Sequence, residues 1–384
     1  MASNLSAKLY FCWKTTPEQL EEIDSPPERL PQKSGSLWIY LVRLIIGGLG
    51  ASTIVGTTIS VVNPPKQIAT KIEPPLATPK LLQIDRLKFT PASPILNNRL
   101  QAMSKKNSKL DSSYLFVEIE RGEHSEQGAD RVLPAASTIK LPILIALFQD
   151  VDTQKVRLEE KLTIDKKSIA GGAGDLQAQK PGTQVSILVA ATKMMTISDN
   201  TATNLLIARL GGKAALNQRF RNWGLTVTTI NQQLPDLEGT NTTTAGELAR
   251  SIMAIDRGKI ISDPSRSKIL SMMSNTSRNT MLPRGLGAGA KIAHKTGDIG
   301  SIIADVGLIE LPTGKKYVAA VLVKRPYNDP AGPELVRQMS KVAYTYFQQP
   351  QPTPNPSTKP QLLHSPGATN DSGFPNTVFI KNKR

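Results

Sequence analysis

The chain has 384 residues, 39% of them hydrophobic, and carries a formal net charge of +16, so its composition permits a sizeable core under a strongly basic surface. A single cysteine, Cys12, excludes an intrachain disulfide and a thiolate metal cage, and the three histidines, His124, His294 and His364, share no metal-ligand spacing. Between residues 86 and 347, 35 Lys and Arg stand against 23 Asp and Glu. The basic field therefore belongs to the central body and favours anionic partners such as a membrane surface or a cell-wall polymer. Nucleic acid is not expected, because aromatics are only 5% and no basic run is interleaved with them.

Residues 1–36 are polar and proline-bearing and read as a tail without a core. Leu37 to Val62 (37–62) is long and apolar enough to cross a bilayer, with Arg43 placed to snorkel, and reads as a transmembrane signal anchor. Residues 63–85, with Pro64, Pro65, Pro74, Pro75 and Pro79, form a stiff spacer. The main domain is expected over 86–347. Tyr114 to Glu120 has strand character, and an apolar helix follows from about Ser137, with Pro142 tolerated in its first turns. The loop Gly171-Gly172-Ala173-Gly174 lacks the strand-to-helix setting of a phosphate cradle and reads as a turn. Helical patterns cover Val185–Thr196, Asn200–Leu210, Lys213–Trp223, Ala245–Asp256 and Ser265–Asn275. Three strands follow, Lys291–Thr296, Ile302–Glu310 and Lys316–Lys324, the last two joined by a turn at Leu311-Pro312-Thr313-Gly314. A last helix spans Glu334–Phe347, and 348–384 is a Pro/Asn/Ser-rich tail of disordered composition.

Chemistry concentrates in three short motifs. In Ser137-Thr138-Ile139-Lys140 the serine and lysine lie one helical turn apart, so a hydroxyl and an amine share a face. A lysine buried enough to lose its proton can take the serine's proton during attack on a carbonyl. Alone this pattern is ordinary, and Ser265-Arg266-Ser267-Lys268 repeats it. Ser198-Asp199-Asn200 opens a helix and is by itself an N-cap cluster. Lys295-Thr296-Gly297 ends a strand, where glycine lets a substrate backbone approach the edge. A Ser-His-Asp triad would need His294 to lie beside a serine.

Taken in this order and context, the motifs SDNTATNLLIARLGG, NTTTAGELA and KIAHKTG resemble the class A β-lactamases and the wider penicillin-recognising serine enzymes, over about residues 95–347. The resemblance implies an α/β (α+β) domain, β-lactamase/transpeptidase-like, with an antiparallel sheet flanked by helices, an all-helical lobe, and Lys295 on the edge strand. It implies Ser137 as nucleophile, Lys140 in its proton-transfer network, Ser198 as proton relay to the leaving nitrogen and Lys295 polarising Ser198. Asn200 would bind a substrate amide oxygen, Lys295 and Thr296 would hold the substrate carboxylate, and Gly297 would bind substrate by letting its backbone lie close against the strand edge. The N–H groups of Ser137 and Asp298 would form the oxyanion hole, and Asp199 would cap its helix. No cofactor and no metal are required.

Two departures stand out. The family's deacylating glutamate belongs where this chain has Leu234, in a loop several residues short, with Asp236 and Glu238 as the nearby substitutes. Asp298 adds negative charge beside the carboxylate pocket, and Arg284 would compensate if it reached there. Three functions fit: a membrane-anchored serine β-lactamase with slow deacylation, a D,D-peptidase-like or penicillin-binding enzyme acting on peptidoglycan peptides, and a non-enzymatic β-lactam or wall sensor. All place the domain outside the plasma membrane, in the periplasm, with residues 1–36 in the cytoplasm.

Overall fold

Three consecutive runs, KIAHKTGD, IIADVGLIE and KYVAAVLVK, alternate too little in polarity to have a wet face, because the sheet they build is covered on both sides. The computed structural model describes residues 94–349, so the segments 1–36, 37–62 and 63–85 and the tail from 350 lie outside the described residues. Among the described residues no helix is long and apolar enough to cross a membrane.

Five strands form the main sheet: β1 (Asp111–Glu118), β2 (His124–Gln127), β7 (Lys291–Asp298), β8 (Ile302–Glu310) and β9 (Lys316–Lys324). All neighbours are antiparallel in the order β2-β1-β9-β8-β7, which leaves β7 as an edge. The two-residue period then sorts side chains between two cores. Leu115, Val117, Val306 and Ala320 enter the larger one. Tyr114, Phe116, Tyr317 and Val321 enter the smaller.

The smaller core is closed by α1 (Pro94–Lys106) and α8 (Ala331–Gln348) through Leu96, Leu100, Leu335, Met339 and Phe347. The larger is built around α2 (Lys140–Asp152), in which every residue from Lys140 to Phe148 is buried. A helix apolar all round has to be enclosed. It is enclosed by α3 (Ile187–Thr196), α4 (Asn200–Arg209), α5 (Gly212–Asn222), α6 (Ala245–Asp256) and α7 (Asp263–Ser274). Short pairs β3 (Leu133–Pro134) with β6 (Thr242–Thr243), and β4 (Lys161–Thr163) with β5 (Gln184–Ser186), pin the connections.

Several boundaries differ from the sequence expectation, each for a local reason. The Val185–Thr196 pattern splits because Ser186 is an N-cap: its Oγ accepts from Val189 N at 3.2 Å, leaving Gln184–Ser186 to pair as β5. Helix α7 starts earlier than Ser265, with Ser262 as N-cap and Pro264 in the first turn. Helix α8 starts at Ala331 rather than Glu334. Helix α1 and strand β2 carry only two buried hydrophobic side chains between them, Leu96 and Leu100, too few for a recognisable period.

Candidate active site

Ser137 does not open a regular helix. It is the second residue of a 3-10 turn, Ala136–Ile139, and α2 starts at Lys140. The turn is entered through Ala136 at φ +44°, a left-handed conformation uncommon for a residue with a Cβ. Lys140 is wholly buried, and its Nζ lies 3.1 Å from Ser137 Oγ, 2.6 Å from Ser198 O, 3.1 Å from Ser198 Oγ and 2.8 Å from Asn200 Oδ1. A neutral amine has two protons and one lone pair. The protons suit the two shorter contacts, to Ser198 O and Asn200 Oδ1, and the lone pair is left for the Ser137 hydroxyl. Burial, then the nearby charge of Lys295, hold the Lys140 amine well below the ordinary lysine range, against an opposing pull from Asp199.

The second motif is held from behind by the glycine loop. Asp199, fully buried, accepts from Ala202 N at 2.7 Å as N-cap of α4, and from Asp175 N and Leu176 N, both at 2.8 Å. A Cβ on Gly174 would stand 2.2 Å from the Asp199 carboxylate, so Gly171-Gly172-Ala173-Gly174 wraps the motif rather than merely turning. Asn200 N donates to Ala173 O at 3.0 Å and Nδ2 to Gly171 O at 2.9 Å, which leaves one amide proton for a substrate oxygen. Ser198 sits between, at φ +59°, again a left-handed residue with a side chain.

From the sheet side, Lys295 Nζ donates to Ser198 Oγ at 3.1 Å and Thr296 O at 2.8 Å. Burial lowers its pKa to about 7, Asp305 opposing and Arg278 assisting the shift. Ser137, Lys140, Ser198 and Lys295 thus form one continuous chain of hydroxyls and amines. Thr296 is buried beside it. Gly297 has a further structural reason beyond substrate approach: a Cβ there would stand 3.0 Å from Ala136 Cβ and 3.1 Å from Ser137 N. The nucleophile's turn lies directly on β7, which brings the Ser137 N–H beside Gly297.

Asp298 does not leave an uncompensated charge. Its Oδ1 accepts from Arg325 Nη2 at 2.7 Å and from Gly300 N at 3.0 Å. Arg284 is not the compensating cation, since it lies in the turn Leu282–Gly285 packed against α8, on the other face of the sheet. The cation that does bear on the site is Arg278, whose charge lowers the pKa of both Lys140 and Lys295. No local pattern marked it, because Ser277-Arg278-Asn279 is an ordinary polar loop in sequence.

The loop before Asn241 contains no replacement base at the expected place. Leu234 is buried, with its N–H donating to Asn204 Oδ1 at 3.0 Å and its carbonyl accepting from Asn204 Nδ2 at 2.8 Å. The Asp236 carboxylate is buried and spent on Thr240 N (2.9 Å), Thr240 Oγ1 (3.0 Å), Asn241 N (2.6 Å) and Gln232 Nε2, so it staples the loop and cannot serve as a water base. Glu238 is exposed. His294 is not beside a serine: Nδ1 meets Asp305 Oδ1 at 2.8 Å and Nε2 faces Asn279 Oδ1 at 3.1 Å. The second S-x-x-K copy is structural, Ser265 Oγ donating to Asp152 Oδ1 at 2.6 Å. Among the described residues no His/Cys/Asp/Glu group is arranged to hold a metal ion.

Comparison with known proteins agrees with this geometry. A sequence model described as the beta-lactamase enzyme family matches residues 95–347. Beta-lactamase BRO-1 of Moraxella catarrhalis is 25% identical over 68% of this chain and 88% of its own. Among solved structures, PBP-A is 48% identical, covering 68% of this chain and 99% of that one with a TM-score of 0.66. A leucine-to-glutamate variant of PBP-A, solved as an acyl-enzyme complex with penicillin-G, is 49% identical over 66% of this chain and 96% of that one, with a TM-score of 0.65. A β-lactamase from Sphaerobacter thermophilus is 26% identical over 66% and 97%, with a TM-score of 0.60. The serine and lysine chain therefore sits on a fold shared along the whole described domain, and this chain belongs to the β-lactamase enzyme family, as a class A-like serine hydrolase.

Proposed function

We propose that the domain opens β-lactam rings by acylating Ser137 and releases the product slowly. In this reading Ser137 Oγ attacks the ring carbonyl while Lys140 takes its proton, and Ser198, bridged to Lys295, returns a proton to the departing nitrogen. The developing oxyanion is met by the N–H groups of Ser137 and Asp298, each such donor being worth about 3 kcal/mol in other serine enzymes. Asn200 Nδ2 holds the acyl-side amide, and Lys295, Thr296 and Arg278 receive the carboxylate. The observation that carries acylation is the unbroken chain Ser137–Lys140–Ser198–Lys295. Slow release is supported by Leu234, an apolar side chain where a water-activating carboxylate would be needed.

A second reading, a penicillin-binding enzyme acting on peptidoglycan peptides, is favoured by the same leucine and by the likeness to PBP-A. The basic body and the apolar segment 37–62 support a plasma-membrane anchor with the domain in the periplasm; protease protection of residues 348–384 in spheroplasts, where the outer face of the plasma membrane is open to protease, would overturn that topology. The chemistry is tested by intact mass spectrometry of the full-length protein after mixing with benzylpenicillin and a cephalosporin. A Ser137 adduct that persists for hours is expected, absent in Ser137→Ala. Rapid turnover would refute slow release, and no adduct would refute the β-lactam reading and send the test to D-Ala-D-Ala peptides.

A further inference from the structure

Two helix faces in the helical lobe meet without closing. On α3, Leu188, Thr192 and Thr196 recur at four-residue steps, and on α7, Pro264, Ser267, Lys268, Ser271 and Met272 recur at steps of three and four, so each set is one stripe of its helix. Ala191, Met195, Ile269 and Met273 carry neighbouring faces of the two helices into the larger core. Facing leucines would interdigitate across such an approach, but serine and threonine are too short to fill it. A groove of about 580 Å³ is left, within the range of roughly 300–1,000 Å³ usual for small-molecule sites. It runs about 16 Å along α7, from Pro264 to Asn275 at about 1.5 Å per residue, which suits a chain of about ten carbons. Its far end reaches the second motif: Thr196 O, two residues before Ser198, accepts from Ser277 N at 2.8 Å and from Ser277 Oγ at 2.9 Å.

The lining carries charge of one sign. Lys268 is exposed, and among the described residues its amine has no ion-pair partner, nor do the hydroxyls of Ser267 and Ser271 bond to the protein. The acids nearby are already paired, Asp263, the one acid of α7, with Arg266 at 3.2 Å, and Asp175 with Lys193 of α3 at 2.6 Å. Leu188, itself 41% exposed, with Pro264 and Met272 supplies an apolar wall. No aromatic side chain lines the groove, so a sugar ring has no stacking surface, and both helix backbones are bonded within themselves, so an extended peptide finds no row of partners.

We propose that this groove binds an alkyl chain bearing an anionic head group, the head on Lys268, Ser267 and Ser271 and the chain along Leu188, Pro264 and Met272. An unpaired ammonium beside free hydroxyls is a donor set for a carboxylate or phosphate, and the basic excess of the body draws such a group in. The same chemistry is offered by a soluble fatty acid and by an anionic bilayer lipid.

The test is hydrogen exchange on the full-length protein in phosphatidylcholine nanodiscs, titrated with octanoate, decanoate and dodecanoate. Amides of 188–198 and 264–277 should slow as the ligand is added, with midpoints falling about two- to fourfold per added methylene. Decyltrimethylammonium should give no protection. Lys268→Gln should raise the decanoate midpoint about tenfold, and Ser271→Leu, which fills the groove from an exposed position, should remove the protection while leaving the far-UV spectrum unchanged. Protection in phosphatidylglycerol nanodiscs without added decanoate would identify a bilayer lipid as the source, and protection by decanoate alone would identify a soluble amphiphile; either result keeps the site. Equal protection by decyltrimethylammonium, protection that survives in Ser271→Leu, or none with any anionic probe would overturn the proposal.

Discussion

Leu234→Glu is expected to turn a long-lived acyl-enzyme into a transient one. The Leu234 backbone is gripped at both its N–H and its carbonyl by Asn204, so the substitution changes the side chain without releasing the main chain. Losing a buried leucine costs about 1.5–3 kcal/mol of burial. For a domain of this size that is a fall of roughly 2–4 °C in melting temperature per kcal/mol. What is gained is a carboxylate at the position where the family resemblance puts the deacylating glutamate, and a positioned general base accelerates by about 10² to 10⁴. At the low end a hundredfold faster release is about 2.7 kcal/mol off the barrier. Because the carboxylate must be ionised to accept a proton from water, release should quicken as pH rises through the new residue's pKa. The assay is the decay of the benzylpenicillin adduct by time-resolved intact mass spectrometry, from pH 5 to 8 on the order of one sample per half unit, with Leu234→Gln as the isosteric control. An adduct equally long-lived in Leu234→Glu and Leu234→Gln, with both proteins folded, would refute the claim that a base is all the site lacks.

Three other outcomes follow from the geometry. Lys295 loses its proton near pH 7 when folded but near 10.5 in its ordinary state, so between those values the unfolded chain binds more protons and stability should rise with pH by a few kcal/mol. Urea midpoints at pH 7 and 9.5 should diverge less in Lys295→Met than in the parent, and equal divergence would refute the shift (the two pH values being about the ends of that window). Gly297→Ala places a Cβ 3.0 Å from Ala136 Cβ and 3.1 Å from Ser137 N, so it should displace the nucleophile turn and cut acylation by about a hundredfold while the far-UV spectrum is kept. Arg325→Met strips the cation from Asp298 beside the proposed oxyanion hole and should slow acylation about tenfold, and adding Asp298→Asn should recover most of the loss, since the harm is a stray carboxylate. A double variant no better than the single would show that the arginine acts only through packing.

The sequence displayed the site wherever function rests on contiguous residues, and hid it wherever function rests on a fold-made neighbour. The serine and lysine of the first motif meet because four residues of chain dictate it, and Asp199 caps α4 because an acidic residue before a helix has that local use. Strands β7 to β9 were legible because each is a dense apolar run between turn residues. Gly174 looked like punctuation because the Asp199 that it makes room for is 25 residues away, and Asp236 looked like a spare base because its partners belong to a loop closure. Asp298 looked like a stray charge for the same reason, since Arg325 reaches it only once β7 and β9 share a sheet. Arg278 was invisible because an arginine in a polar loop is indistinguishable from surface until Thr196 and His294 fix the loop's ends.

The placement of the acids explains how two lysines can do this chemistry without histidine. A buried lysine beside a free carboxylate would form an ion pair and keep its proton, and would then be useless as a base. Asp199 is the nearest such threat to Lys140, yet its oxygens are committed to three backbone N–H groups, of Asp175, Leu176 and Ala202. Asp305 is the corresponding threat to Lys295, and it is committed to His294 and to Leu282 N. Each carboxylate is therefore close enough to moderate its lysine's pKa and too occupied to neutralise it. The glycine loop and the pairing of His294 and Leu282 with Asp305 are in this sense parts of the same device. Both commit hydrogen-bonding groups to the acids so that the amines between Ser137 and Ser198 are left facing only hydroxyls and carbonyls, which is the condition for a lysine to accept a proton from serine at neutral pH.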